Sequence, residues 1–296
     1  NVTTMRNRGA GVIVISGNAV TLNNVSARMN GRNGATIIAI GRRSNVSVFN
    51  SRFINNGGNG LFTLTSGYTT LRGVRANRND LNGALVFSDG KVIARRSTFN
   101  SNVKNGIKVW SNGRIVLRNV TACYNGKNGA VLKNTYGGRN VIVRDSNFCE
   151  HDANGLKVRS AGTVIIDNIV ADSNTGHGAV VNNNGGNGVV VTGSNFNDNG
   201  GFGLAAMSSG TIVLNGLDVI GNGLSGAGLI ANEIHVINSN FNGNGQYGIL
   251  AFLNNGGTMF LWCNVDLSNN GTGELDLTGD LALVKEGVIV LDCDVE

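Results

Sequence analysis

Apolar residues along this chain come in short alternating runs, each opened by a glycine, as in GVIVIS, GLFTLT, GALVFS and GIKVWS. Such runs open at Gly11, Gly34, Gly60, Gly83, Gly106, Gly129, Gly155, Gly178, Gly203, Gly228, Gly248 and Gly273, at steps of 20–26 residues. Each unit reads as a strand, a Gly/Asn turn, a second strand such as RIVLRNV, and a polar run that ends in Asn and returns to the next glycine. Alternation of period two over strand-length runs excludes a helical solenoid. A fixed period in this range predicts a stack of coils. The chain has 0 prolines, as expected where every strand must donate its N–H to a neighbouring coil. These patterns predict an all-β solenoid of about twelve coils in one domain, 1–296, on the order of 55–60 Å long at about 4.8 Å per coil.

Two columns of the repeat specify how the coils pack. One alternates Ala27, Phe53, Ala76, Phe99, Ala122, Phe148, Ala171, Phe196, Val219, Phe241 and Leu267. Two residues earlier the order is reversed: Val25, Ser51, Val74, Ser97, Val120, Ser146, Ile169, Ser194, Leu217, Ser239 and Val265. Large beside small in one coil, and the opposite in the next, keeps the volume of each layer constant.

Asn30, Asn56, Asn79, Asn102, Asn125, Asn174, Asn199, Asn222, Asn244 and Asn270 share one turn position, interrupted only by His151. Stacked amides can bond to one another along the axis and to turn backbone. With this ladder, the coil length and the recurrent Ser-Asn-Phe turn, the chain resembles the right-handed parallel β-helix proteins of the pectate-lyase-like superfold over essentially all its length. The resemblance implies the fold and leaves the activity open.

Charge adds a second axis. Residues 1–159 hold 23 Lys and Arg against 5 acids, whereas 160–296 hold one, Lys285, against 13. In a rod, that makes a basic half and an acidic half. The basic end carries Arg6, Arg8, Arg28, Arg32, Arg42 and Arg43; the acidic end carries Asp280, Glu286, Asp292, Asp294 and Glu296. Coil-like sequence begins by residue 11 and runs to the last residue, so uncovered end coils are expected, which would template strand addition.

The four cysteines form two same-column pairs, predicting disulfides Cys123–Cys149 and Cys263–Cys293 in place of four free thiols. Disulfides imply a secreted or cell-surface protein. No apolar stretch reaches transmembrane length, and sequons stand at Asn1, Asn24, Asn45, Asn119 and Asn270.

Candidate chemistry is sparse. Polygalacturonase-like enzymes, which resemble this fold, use Asn-Thr-Asp, Asp-Asp, Gly-His-Gly and Arg-Ile-Lys motifs. Here only Gly176-His177-Gly178 has a counterpart, and His177 occupies a turn slot that is Asn33, Asn59, Asn105 and Asn154 in other coils. Without paired carboxylates neither a general acid nor a water-activating base is evident. A Ca²⁺ site would have to draw on Asp145, Glu150, Asp152, Asp167 and Asp172. Because Arg144 aligns with Asp167, an axial salt bridge is the stronger expectation there. His151, His177 and His235 fall in different columns, so no metal or cofactor is expected.

Two surface columns point to partners. Arg72, Arg95, Arg118 and Arg144 stack on four successive coils, a candidate track for a polyanion such as an acidic glycan; the alternative is a solvated face. Ile15, Ile38, Leu64, Phe87 and Trp110 form an outward apolar ridge, with Ile13, Phe62 and Leu85 beside it and Leu250, Phe252, Leu275 and Leu277 at the far end. Such a ridge marks a contact surface unless turn loops cover it. Nucleic acid is disfavoured, since basic and aromatic residues are not interleaved. The leading expectation is an extracellular structural β-solenoid that assembles head to tail into a filament, with its acidic end on the basic end of the next copy. The alternatives are a secreted polysaccharide lyase or hydrolase acting on acidic glycans, or a glycan-binding adhesin domain.

Overall fold

A computed structural model describes residues 1–262, 264–279 and 288–291. The described residues form an all-β, right-handed parallel solenoid of about eleven turns, close to the twelve coils that the repeat predicts. Each turn contributes to three faces. The first face stacks strands such as Leu61–Thr65, Ala84–Ser88, Ile107–Ser111, Ala130–Asn134 and Leu156–Ser160. The second stacks Thr69–Arg72, Val92–Thr98, Ile115–Thr121, Val141–Asn147 and Val164–Val170, whose last residues run on into the third face. Short strands open the third face, where Val2–Met5 pairs with Val25–Arg28, so coil structure begins well before residue 11. All strand pairs are parallel and join neighbouring coils; Ala84 pairs with both Leu61 and Ile107.

The glycine that opens each first strand is there because the coils touch. A Cβ on Gly106 would lie 2.6 Å from the carbonyl oxygen of Gly129 and 2.7 Å from that of Phe99. This contact corrects the register near the C-terminal end. Ala227 pairs with Leu204, so Gly226, not Gly228, opens that coil. Gly273 pairs with Tyr247 rather than with Gly248.

The core follows the alternating columns. Phe53, Phe99, Phe148, Phe196 and Phe241 are fully buried, interleaved with buried Ala27, Ala76, Ala122 and Ala171. The serine column has a bonding role that volume alone does not reveal. Where the chain bends from the second to the third face, it passes through the left-handed region at Asn50, Arg96, Asn119 and Asp145. Just past the bend, the N–H groups of Val25, Val74, Val120, Ile169 and Leu217 each donate to the hydroxyl of Ser51, Ser97, Ser146, Ser194 and Ser239 at 3.1 Å. Those hydroxyls in turn donate to the carbonyl two residues back, as Ser97 does to Arg95 at 2.9 Å. Ser on alternate coils thus satisfies backbone donors that would otherwise be buried unpaired.

The asparagine ladder forms, and there are two of them. In the first, the amide nitrogen of each residue donates toward the C-terminal end: Asn79 to Asn102 and Asn102 to Asn125, both at 3.0 Å. Asn7 extends it by one coil through Asn30 at 2.9 Å. The second runs the other way, Asn82 donating to Asn59 at 2.8 Å, Asn105 to Asn82 at 2.8 Å and Asn128 to Asn105 at 2.9 Å. His151 fills its slot in the first ladder by accepting the N–H of Asn125 on Nδ1 at 3.0 Å, while its backbone N–H donates to the Asn174 side-chain oxygen at 3.2 Å. Burial lowers its pKa from 6.5 to about 4, so the ring stays neutral. Cys123 and Cys149 form the expected disulfide, with Cα atoms 4.6 Å apart. The other predicted pair, Cys263–Cys293, lies outside the described residues.

Candidate functional site

Outward residues of the first face line up in two files. One runs Ile15, Ile38, Leu64, Phe87, Trp110, Lys133 and Arg159 in unbroken register. The other runs Phe62, Leu85, Lys108, Val131 and Lys157. The predicted ridge therefore exists, and it passes directly into a cationic stretch. Its aromatic members touch: Phe62 and Phe87 have ring centroids 6.0 Å apart, and Phe87 and Trp110 meet edge to face at 4.6 Å. The Lys108 ammonium sits 4.8 Å from the Trp110 ring. Leu275 and Leu277 pair in register with Ile249 and Ala251, not with Leu250 and Phe252.

The turns flank the ridge without covering it, and Trp110 remains 39% exposed. They turn part of the ridge into a groove of about 480 Å³ lined by Leu64, Phe87, Trp110, Lys133, Asp89 and Tyr136. Tyr136 reaches the groove because the turn after Asn134 runs on to Val141, whereas Ser111 is followed by a strand beginning at Ile115. Gly137 and Gly138, both at positive φ, let that longer turn fold back. The Asn134 amide fastens its base by donating to the carbonyls of Gly113 at 2.8 Å and Arg139 at 2.6 Å. In the same turn column of the two preceding coils, Asn112 donates to Asp89 at 3.2 Å. Sequence reasoning found the ridge but missed Tyr136 and Asp89, since wall residues come from turns that the strand alternation does not place.

The arginine column stands as predicted, with Arg72, Arg95, Arg118 and Arg144 in register and Asp167 next. Arg144 Nε lies 3.4 Å from Asp167, the expected axial bridge, and Arg118 Nε lies 3.1 Å from Asp145. The amide of Asn168, followed by Arg118, holds the Asp145 carboxyl below its ordinary pKa.

Of the acids considered for Ca²⁺, Asp145 and Asp167 are each paired with an arginine, and among the described residues there is no group of three His, Cys, Asp or Glu side chains placed to hold a metal. His177 is a turn residue, as its slot suggested. It takes the next place in the second asparagine file, receives the Phe202 N–H on Nδ1 at 2.8 Å and stacks on the Phe202 ring. Burial, then Lys157, lowers its pKa. His235 lies on the second face against Glu233, 3.1 Å away.

Of the head-to-tail surfaces, Arg6, Arg8, Arg32, Arg42 and Arg43 are exposed on the first coils, and Arg28 is half-buried. Asp280, Glu286, Asp292, Asp294 and Glu296 lie outside the described residues, as does any contact they make. Asn1, Asn24, Asn45 and Asn119 are exposed, whereas the Asn270 side chain already bonds to Asn244 and to the Leu267 carbonyl. Among the described residues no helix is long and apolar enough to cross a membrane.

A family profile described as "Right handed beta helix region" matches residues 1–122 and 128–284. The chain belongs to this right-handed β-helix family. No curated protein matches this β-helix. Among solved structures it is similar to the periplasmic alginate epimerase AlgG at 14% identity and TM-score 0.72, over 97% of this chain and 78% of that one. It is also similar to the A-module of the Azotobacter vinelandii mannuronan C-5 epimerase AlgE4, at 12% identity and TM-score 0.64, over 97% and 90%. At these identities the likeness is one of fold.

Proposed function

We propose that this β-helix is an exported protein that binds an acidic polysaccharide along its first face. The observation that carries the reading is the groove lined by Phe87, Trp110 and Lys133, with Arg159 next in its file and Phe62, Lys108 and Lys157 in the file beside it. Exposed aromatic rings suit the C–H faces of pyranose rings, and cations one coil apart suit a carboxylate on each sugar. A concave site with an apolar floor and a few polar walls is the usual form of a ligand site. The similar solved structures include a periplasmic alginate epimerase and a mannuronan epimerase, which supports both the ligand class and export. The Cys123–Cys149 disulfide supports export independently. These observations favour a glycan-acting protein over the head-to-tail filament that the charge segregation suggested.

Calorimetric titration with an alginate-derived oligouronate tests the reading. Trp110→Ala and Lys133→Glu should each weaken binding about tenfold or more, and a neutral oligosaccharide of equal length should bind far more weakly than the uronate. Equal affinity of wild type and both variants would overturn it. Appearance of unsaturated uronate products in the same samples would turn the binder into a lyase.

A further inference from the structure

The second face holds an arginine column whose two halves differ in a specific way. In the half toward the C-terminus the protein supplies its own anions: Asp145 to Arg118 at 3.1 Å and Asp167 to Arg144 at 3.4 Å. Both carboxylates come from the next coil, one from the left-handed bend slot and one from the column itself. The bend slot is occupied in order by Gly73, Arg96, Asn119, Asp145 and Asn168.

One coil after Arg95, the two positions that could hold a carboxylate are Arg118 and Asn119. One coil after Arg72 they are Arg95 and Arg96. Among the described residues neither Arg72 nor Arg95 has an acid within ion-pair distance. Like charges stacked at about 4.8 Å repel. No acid precedes Asp80 in the chain. The vacant side of this half is a hollow of about 390 Å³ lined by Arg72, Arg95, Arg96, Arg118, Asn119 and Asp145.

We propose that this hollow is a second polyanion site, in which carboxylates of an acidic glycan take the places that Asp145 and Asp167 take farther along the column. The downstream pairs display the chemistry that such a guanidinium file accepts, and its N-terminal half offers the same donors with the protein's own anions removed. The site shares its ligand class with the proposed first-face groove but none of its residues, and it would hold a different stretch of chain or a different chain.

Two substitutions in the bend slot test this with little risk to the fold, because Asp, Asn and Gly all occupy that slot in neighbouring coils. Arg96→Asp places an internal carboxylate beside Arg72 and should weaken oligouronate binding about tenfold. Asp145→Asn releases Arg118 and should strengthen binding severalfold. Binding is measured by calorimetry at low salt, with Trp110 fluorescence read in parallel as the report of the groove. Unchanged affinity in either variant overturns the second site. If Trp110→Ala removes all binding while Arg96→Asp removes none, the groove stands and the second site falls. If Arg96→Asp weakens binding and Trp110→Ala does not, the groove reading falls and the second site stands.

Discussion

The inner turn column and the outer file of the first face run through the same coils, yet they obey different rules. Along the first asparagine ladder one residue type recurs at nearly every coil. Along the outer file Ile38, Leu64, Phe87, Trp110, Lys133, Arg159 and Asn182 are all different. The cause is what each side chain must bond to. A ladder asparagine is buried, and its partner is its own copy in the next coil, so a change at one coil leaves donors and acceptors unpaired in two others. An outward residue meets only solvent and its file neighbours, so its identity is free to record a ligand. In a solenoid, uniform columns carry stability and varied ones carry function.

Breaking the uniform column should have the largest effect. Asn102 donates to Asn125 and to the Ala76 carbonyl and accepts from both nitrogens of Asn79. Asn102→Ala should cost on the order of 3–5 kcal/mol in urea unfolding, because several buried groups lose their partners.

The one ladder position that departs from asparagine gives the next test. His151 has a folded pKa of about 4 against 6.5 when free. The unfolded chain therefore takes up the proton first as pH falls. The stability conferred by the neutral ring is complete above about pH 6.5 and is lost as pH drops toward 4, by about 3 kcal/mol. His151→Asn should flatten the stability–pH profile across that window; a slope equal to wild type would show that the ring is not the source.

On the outer file the order of effects inverts. Trp110→Ala should change stability by only about 1–2 kcal/mol, while weakening glycan binding more than Asn102→Ala does under conditions where that variant stays folded. The smallest stability effect should come from Asp145→Asn, whose exposed ion pair is of the kind that contributes little. Its unfolding midpoint should match wild type even as its affinity for a polyuronate changes.

Much of this could be read from residues alone. The Ala27–Phe53–Ala76 alternation, the first asparagine ladder, the Cys123–Cys149 pair and the Arg144–Asp167 bridge each follow from counting along a fixed repeat. Failures cluster where counting slips or where a bond direction is needed. The run GLSGAG offers several glycines, so counting lands on Gly228 where the coil opens at Gly226. Asn33, Asn59, Asn105 and Asn154 align as a shared slot, but alignment does not say which atom donates, and so does not reveal a second ladder. The serine column reads as volume alone, because its bond to a backbone N–H depends on the bend before it. Tyr136 escapes the count because the turn that carries it departs from the repeat.

The coil, its columns and the segregation of charge follow from residue order alone, because in a parallel stack the period maps order along the chain onto position in space. Which outward residues share a concave surface, and which charges are already paired, is set by the folded coils. Both depend on the paths of turns and on contacts one coil away, where displacements of a few ångströms separate a bonded arginine from one left open to a ligand.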